Sequence, residues 1–110
     1  MEGNAKMKAM MEGLHRSPIK EIAGIRVVSS ADYLNGILTR EDGSEEKIEG
    51  LPPSDVMKYF LADGSTVCVR PSGTEPKVKF YIEAVGEKKE GLEGKVDALD
   101  ADIRRITGAK

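Results

Sequence analysis

The chain has 110 residues, of which 39% are hydrophobic and 33% are charged, the size and balance of one soluble globular domain. Its net charge of -2 gives no general attraction for nucleic acid or for an anionic membrane, so any anion binding must be local. Cys68 is the one cysteine and His15 the one histidine, which excludes an intrachain disulfide, a zinc site rich in Cys and His, and a Ser-His-Asp triad with a well-placed base.

The first predicted element is a helix over residues 4–15. Its methionines and Leu14 recur at helical spacing and form one apolar stripe, Asn4 can cap its start, and the chain before Pro18 ends it. We expect the stripe to pack in the core, with a flexible partner groove as the alternative. We expect His15 to be solvated at the helix end. This segment has no apolar signal-peptide core, and no stretch is long and apolar enough to span a membrane, so a cytoplasmic location is expected.

The next part of the chain has one clear strand and a long irregular stretch. Gly24 precedes a strand predicted over residues 25–28. Residues 31–52 are the least regular part, with a strong turn signal at Asp42-Gly43. The charged residues 41–49 indicate a solvated excursion.

The second half begins with a predicted β-hairpin. A strand over residues 56–61 and a strand over residues 66–70 flank Asp63-Gly64, which is a strong hairpin turn signal. Cys68 lies between two valines, so we expect a half-buried strand position rather than a reactive thiol.

The last two elements are a strand and a helix. Val78, Phe80 and Ile82 alternate with polar residues, which predicts a strand with one buried face. Five apolar residues then recur at helical spacing and predict an amphipathic helix: Leu92, Val96, Leu99, Ile103 and Ile106. Hairpin-connected strands and amphipathic helices together favour an α+β fold, with a largely antiparallel sheet and helices on one face.

Residues 70–77, between the last two predicted strands, carry the groups needed to bind a phosphate. Arg70 offers a planar guanidinium with a permanent charge that can donate to two oxygens at once. Ser72 and Thr74 offer hydroxyl donors. Gly73 lets the backbone turn so that successive N–H groups point into one concavity.

The residues around these donors add charge and restrict the loop. Lys77 or Lys79 can contribute charge from the rim, while Pro71 and Pro76 restrict the ends, so less entropy is lost on binding. An ordinary hairpin loop is the alternative, since Pro, Ser, Gly and Thr are common turn residues. The pattern is neither a Walker loop nor a dinucleotide fingerprint. Glu75 has no partner that would make it a general base, and there is no Asp-x-Asp-x-Asp cluster. We therefore predict no catalytic residue and no metal ligand.

Residues 69–79, Val-Arg-Pro-Ser-Gly-Thr-Glu-Pro-Lys-Val-Lys, closely resemble the phosphate-binding loop of the α-D-phosphohexomutases, the phosphoglucomutase and phosphomannomutase superfamily. Residues 21–24 and 57–65 also resemble the bacterial phosphoglucomutase branch. The resemblance covers nearly all of the chain, but only the last of the family's four domains. The serine loop, the magnesium-binding loop and the sugar-recognition loop of the first three domains have no counterpart in this sequence.

The resemblance implies a fold and a domain assignment. The expected fold has two layers, a mostly antiparallel sheet of about four strands and helices on one face, like the TATA-binding protein. Residues 1–110 would be a single domain, the C-terminal substrate-phosphate-binding domain of a larger enzyme. Family members have a strand ahead of the first helix. None is found before Asn4, so this copy either lacks that edge strand or begins just inside the domain boundary.

The resemblance also implies a function. In the family, a phosphoserine gives its phosphate to a hexose phosphate, the bisphosphate intermediate turns around, and the other phosphate returns to the serine. This interconverts hexose 1-phosphate and 6-phosphate. The last domain holds the phosphate that is not reacting, and five positions match its contacts: Arg70, Ser72, Gly73, Thr74 and Lys79. Pro71, Glu75 and Pro76 would shape the loop.

The expected partners are glucose or mannose 1- or 6-phosphate, the bisphosphate intermediate and the remaining enzyme domains, with neither nucleic acid nor membrane. Mg²⁺ is expected in the full enzyme and no cofactor in this domain, which alone would be inactive and would bind phosphosugar at about millimolar concentration. An autonomous phosphate- or phosphosugar-binding module is the alternative. A nucleic-acid binder is suggested only by analogy of fold, and the net charge of -2 argues against it.

Overall fold

The computed structural model describes residues 2–16, 19–50, 52–72, 78–86 and 91–107. These residues form two helices, α1 (Glu2–Arg16) and α2 (Leu92–Thr107), at the two ends of a series of strands. The strands in chain order are β1 (Glu21–Ile22), β2 (Ile25–Asp32), β3 (Ile37–Arg40), β4 (Glu45–Lys47), β5 (Met57–Leu61), β6 (Thr66–Pro71) and β7 (Val78–Glu83). No helix in these ranges is long and apolar enough to cross a membrane.

All seven strands belong to one antiparallel sheet with the order β4-β3-β2-β5-β6-β7, and β1 pairs with β2. The α+β class and the antiparallel sheet are therefore confirmed. The expected number of strands, about four, is too low. The four strands that the sequence predicts are β2, β5, β6 and β7, which are contiguous in the sheet.

The prediction that residues 31–52 are irregular is wrong. This range holds the end of β2 and the whole β3–β4 hairpin. The Asp42-Gly43 turn is confirmed: Gly43 has a φ of 90°, and Asp42 Oδ1 accepts a 2.9 Å hydrogen bond from Ser44 N–H. β4 is exposed along its length and consists of two glutamates and a lysine, so neither apolar alternation nor β-propensity reveals it.

A tight turn at Ala23-Gly24 joins β1 to β2. Both residues have positive φ, 52° for Ala23 and 78° for Gly24, which is the backbone of a type I′ hairpin turn. Glycine adopts this conformation without strain, whereas an alanine there costs roughly 1 kcal/mol. The sequence signal at Gly24 thus marks a hairpin and not only the start of a strand.

The core lies between the two helices and one face of the sheet. Its buried members come from both helices and from four strands, β1, β2, β5 and β6: Met11, Leu14, Ile22, Val27, Met57, Tyr59, Leu61, Val67, Val69, Leu99 and Ile103. Met11 is 1% exposed, so the methionine stripe packs in the core as expected. The expected cap at Asn4 is wrong, because α1 already begins at Glu2 and includes Asn4. The residues predicted to end α1, Ser17 and Pro18, lie outside the described residues.

His15 is not solvated, contrary to expectation. Its side chain is 7% exposed and lies between two carboxylates from other parts of the chain. Nε2 donates a 2.7 Å hydrogen bond to Asp55 Oδ1, and Nδ1 lies 2.7 Å from Asp32 Oδ1. His15 therefore ties the end of α1 to β2 and to the segment that leads into β5.

Candidate functional site

The candidate site is the end of the β6–β7 pair. Arg70 of β6 is directly opposite Lys79 of β7 in the antiparallel register. Cβ atoms of directly opposed residues are about 4.5–5.5 Å apart, so the two side chains leave the sheet side by side. Val69 of β6 faces the core, and its neighbour Arg70 faces the opposite side of the sheet, where both cations are exposed.

The other predicted contacts follow Arg70 along the chain. Ser72 comes directly after β6 and is buried, with 9% of its surface exposed. Gly73, Thr74, Glu75 and Pro76, which are predicted contacts or loop-shaping residues, lie outside the described residues together with Lys77. The structure thus brings Arg70, Ser72 and Lys79 to one end of the sheet. Their role in binding stays a prediction.

Arg70 differs from the other arginines in its electrostatic surroundings. The chain has six arginines, and five of them form ion pairs: Arg16 with Glu12, Arg26 with Glu41, Arg40 with Glu46, Arg104 with Asp100, and Arg105 with Asp102. Arg70 and Lys79 form no ion pair with any acidic residue that the structure describes. Like charges directly opposite each other destabilise a sheet. An anion that contacts both would remove that repulsion.

An exposed aromatic residue borders the two cations. Tyr81 lies two residues beyond Lys79 on the same face of β7, and its ring centroid is 5.8 Å from Arg70 Cζ. Such a distance is within the range of a cation–π contact. Tyr81 is not among the site residues predicted from the sequence. The available signal was the alternation in β7, which puts Tyr81 on the face of Lys79.

Cys68 is directly opposite Tyr81 and is half-buried, as the sequence predicts. Burial raises the pKa of the Cys68 thiol, while the nearby charges of Lys58 and Arg70 act in the opposite direction. The raised pKa keeps the thiol protonated at neutral pH, and a protonated thiol is a poor nucleophile. A half-buried strand position is therefore a better interpretation of Cys68 than a reactive thiol.

Two clefts lie elsewhere on the molecule. A cleft of about 630 Å³ is lined by residues of β1, β2 and β3, among them Arg26 and Arg40. A cleft of about 310 Å³ lies beside the end of α1 and includes His15 and Asp32 in its lining. The arginines of the first cleft are ion-paired, whereas Lys20 in its lining forms no ion pair with an acidic residue that the structure describes. The pair Arg70 and Lys79 lies outside both linings, on an open face.

The described Asp, Glu, His and Cys residues nowhere form a group of three that could hold a metal ion. His15 has two carboxylates beside it, but each of its ring nitrogens already contacts one of them. These residues therefore do not fit a magnesium or zinc centre.

Residues 4–101 match the family model of the phosphoglucomutase/phosphomannomutase C-terminal domain. A phosphoglucomutase of Staphylococcus haemolyticus is 40% identical over 84 residues, which are 74% of this chain and 15% of that protein. A phosphoglucomutase of Staphylococcus aureus is 30% identical over 99 residues, which are 90% of this chain and 18% of that protein. A protein of Haemophilus influenzae named as a probable phosphomannomutase is 32% identical over 97 residues, covering 88% of this chain and 17% of the relative. The chain therefore spans only 15–18% of the length of these relatives.

Proposed function

The chain belongs to the family of phosphoglucomutase/phosphomannomutase C-terminal domains, and from this premise we propose that it holds the non-reacting phosphate of a hexose phosphate. It would do so as the single C-terminal domain of a longer, cytoplasmic phosphoglucomutase or phosphomannomutase. That enzyme interconverts hexose 1-phosphate and 6-phosphate by phosphoserine transfer. The contacts are Arg70, Ser72, Gly73, Thr74 and Lys79.

The observation that carries the proposal is the arrangement of Arg70 and Lys79. They are opposed across β6 and β7, and no described carboxylate neutralises either of them. A phosphate dianion matches this pair in charge. The guanidinium can donate to two of its oxygens, and the ammonium can donate to a third.

The loop after Arg70 supplies the remaining donors in this proposal. Ser72 and Thr74 contribute hydroxyls, and Gly73 allows backbone N–H groups to point at the phosphate. Pro71, Glu75 and Pro76 shape the loop. These groups recognise phosphate and not the sugar, which suits a site that must hold a substrate in two orientations.

The open geometry favours weak binding by this chain alone. Each charge-assisted hydrogen bond contributes roughly 1.5–3 kcal/mol, and the entropy of association offsets much of the sum. We expect a Kd of about one millimolar, since ~4 kcal/mol of net binding free energy corresponds to that value. In the longer enzyme, these contacts would position the hexose phosphate for the reaction.

In this proposal, other domains of the longer enzyme carry out the transfer of the phosphate. The phosphoserine and the Mg²⁺ site expected from the family would be in the other domains, and the described acidic residues of this chain form no group of three that could hold a metal ion. The other domains would also read the sugar. This chain would therefore be inactive without them.

An NMR titration of the chain with glucose 1-phosphate, glucose 6-phosphate and glucose tests the proposal. Both phosphates should shift the amide signals of Arg70, Ser72 and Lys79 with millimolar Kd values, and glucose should leave them in place. Shifts confined to the cleft beside Arg26 and Arg40 would refute the site. A micromolar Kd would favour the autonomous binding module, because a domain that holds half of a substrate does not bind it tightly alone.

A further inference from the structure

Arg70 contacts the aromatic ring of Tyr81 in addition to lying opposite the charge of Lys79. Among the residues that the structure describes, Tyr81 is one of three large hydrophobic side chains that are strongly exposed, with 48% of its surface accessible. Its ring lies 5.8 Å from Arg70 Cζ, on the diagonal of the β6–β7 register, because Arg70 is opposite Lys79 and Tyr81 is two residues further along. Diagonal neighbours on one face of a sheet are within reach of aromatic and long side chains.

The Tyr81 ring offers the Arg70 guanidinium a contact besides its like-charged neighbour Lys79. A free arginine side chain samples many rotamers, and that freedom is lost when it binds a ligand. A cation–π contact restricts the side chain before the ligand arrives. Because the N–H groups of a guanidinium lie in its plane, a contact through its face leaves these donors for an anion.

We propose that Tyr81 is a positioning residue for Arg70, which it holds ready for the phosphate by contact with its aromatic ring. The inference rests on the proposed function, in which Arg70 binds phosphate. The ring and not the phenol hydroxyl performs this role, so phenylalanine can replace tyrosine and an aliphatic residue cannot.

The chain contains a matched control for this contact. Lys58 Nζ lies 5.3 Å from the centroid of the Phe60 ring, on the same face of the sheet. Phe60→Leu removes a cation–aromatic contact of the same kind, and the Phe60 ring is on β5 opposite Thr66, not opposite Arg70 or Lys79. It should leave phosphate binding unchanged.

The test compares Tyr81→Phe, Tyr81→Leu, Phe60→Leu and Arg70→Ala by NMR titration with inorganic phosphate. Tyr81→Leu should raise Kd about threefold, the size of an exposed cation–π contact, and should move the Arg70 Nε–H signal through the loss of the ring current. Tyr81→Phe should retain both the affinity and the signal position. The Nε–H signal is read in the unliganded protein, so it reports on the contact even if the substitution alters stability.

Two results would contradict the proposal that Tyr81 positions Arg70, and they can be told apart. If Arg70→Ala abolishes binding but Tyr81→Leu binds as tightly as the unchanged chain, Tyr81 does not position Arg70. If Arg70→Ala itself binds phosphate normally, the proposed function fails and the inference fails with it.

Discussion

Asp102 Oδ2 accepts a 2.6 Å hydrogen bond from the backbone N–H of Ala23. The bond joins α2 to the turn between β1 and β2, two parts of the chain that are distant in sequence. It stabilises the positive φ of Ala23, which alanine does not favour. It also holds the pKa of the Asp102 carboxyl below its usual value, with a smaller contribution from the charge of Arg105.

The lowered pKa of Asp102 predicts a specific loss of stability in acid. The unfolded carboxyl has a pKa near the ordinary value of 3.8 and the folded one a lower value, so the contribution is complete above 3.8 and is lost as pH falls through the folded pKa. Asp102→Asn should therefore flatten the fall in the free energy of unfolding below about pH 4. Urea unfolding between about pH 2 and pH 7 measures this. Asp97→Asn, at an exposed site on the same helix, controls for the loss of one carboxylate, and equal slopes for both variants would contradict the prediction.

The contacts of His15 predict that the end of α1 depends on this side chain. His15→Ala should lower the free energy of unfolding by about 1–3 kcal/mol, because the carboxylate of Asp32, which is only 13% exposed, loses its partner. Arg16→Ala, at the next residue, is the control. Arg16 is 76% exposed and lies 3.9 Å from Glu12, so its loss should cost no more than about 0.5 kcal/mol. The result that would refute a role for His15 is an equal, small effect of both substitutions.

Substitution by alanine should have opposite effects on stability at two glycines. Gly13 is inside α1, and Gly24 is in the type I′ turn, and a Cβ added to either would meet no atom within 4 Å. Gly13→Ala should stabilise the protein by about 0.5–1 kcal/mol through helix propensity. Gly24→Ala should destabilise it by about 1–2 kcal/mol, because φ is +78° there. Thermal unfolding of both variants checks the signs, and stabilisation by Gly24→Ala would contradict the turn geometry.

The repulsion between Arg70 and Lys79 predicts a dependence of stability on phosphate. In phosphate-free buffer of low ionic strength, Lys79→Met should stabilise the protein by a few tenths of a kcal/mol, since it removes one of two opposed like charges. Phosphate at about 20 times its Kd should stabilise the unchanged chain by about 1.8 kcal/mol, and the variant should lose most of this gain. Thermal unfolding with phosphate or with NaCl of equal ionic strength separates binding from screening.

Lys47→Met is the control for this experiment, because Lys47 is exposed on β4 and is opposite the apolar Ile37. It should leave the phosphate effect unchanged. If phosphate still stabilises the Lys79→Met variant but no longer stabilises the Lys47→Met variant, the anion binds elsewhere on the molecule.

The sequence predicts those elements whose own side chains carry the pattern. The alternation of Val78, Phe80 and Ile82 predicts β7, because one face of this strand packs against the helices. β4 has no such pattern, since it consists of charged residues and exists through its pairing with β3. The partners of His15 could not be predicted either, because Asp55 is 40 residues away in the chain.

The candidate site was predictable in composition but not in register. Arg70 and Lys79 stand out as cations that flank a turn-rich loop, and alternation puts them on exposed strand positions. Their direct opposition depends on how the loop between them closes, which composition does not determine. The Arg70–Tyr81 contact depends on the same register. The roles of Gly73 and Thr74 stay predictions, since these residues lie outside the described ranges.

The most direct test of the central claim is the Kd of glucose 1-phosphate for three forms of the chain, measured by NMR titration. Arg70→Ala should weaken binding about tenfold or more relative to the unchanged chain, because it removes a charged partner of the phosphate. Arg40→Ala is the matched control, since Arg40 lies on the same sheet but is paired with Glu46 at 3.1 Å, and its Kd should stay unchanged. Equal affinities for Arg70→Ala and the unchanged chain would contradict the claim that this end of the sheet holds the phosphate.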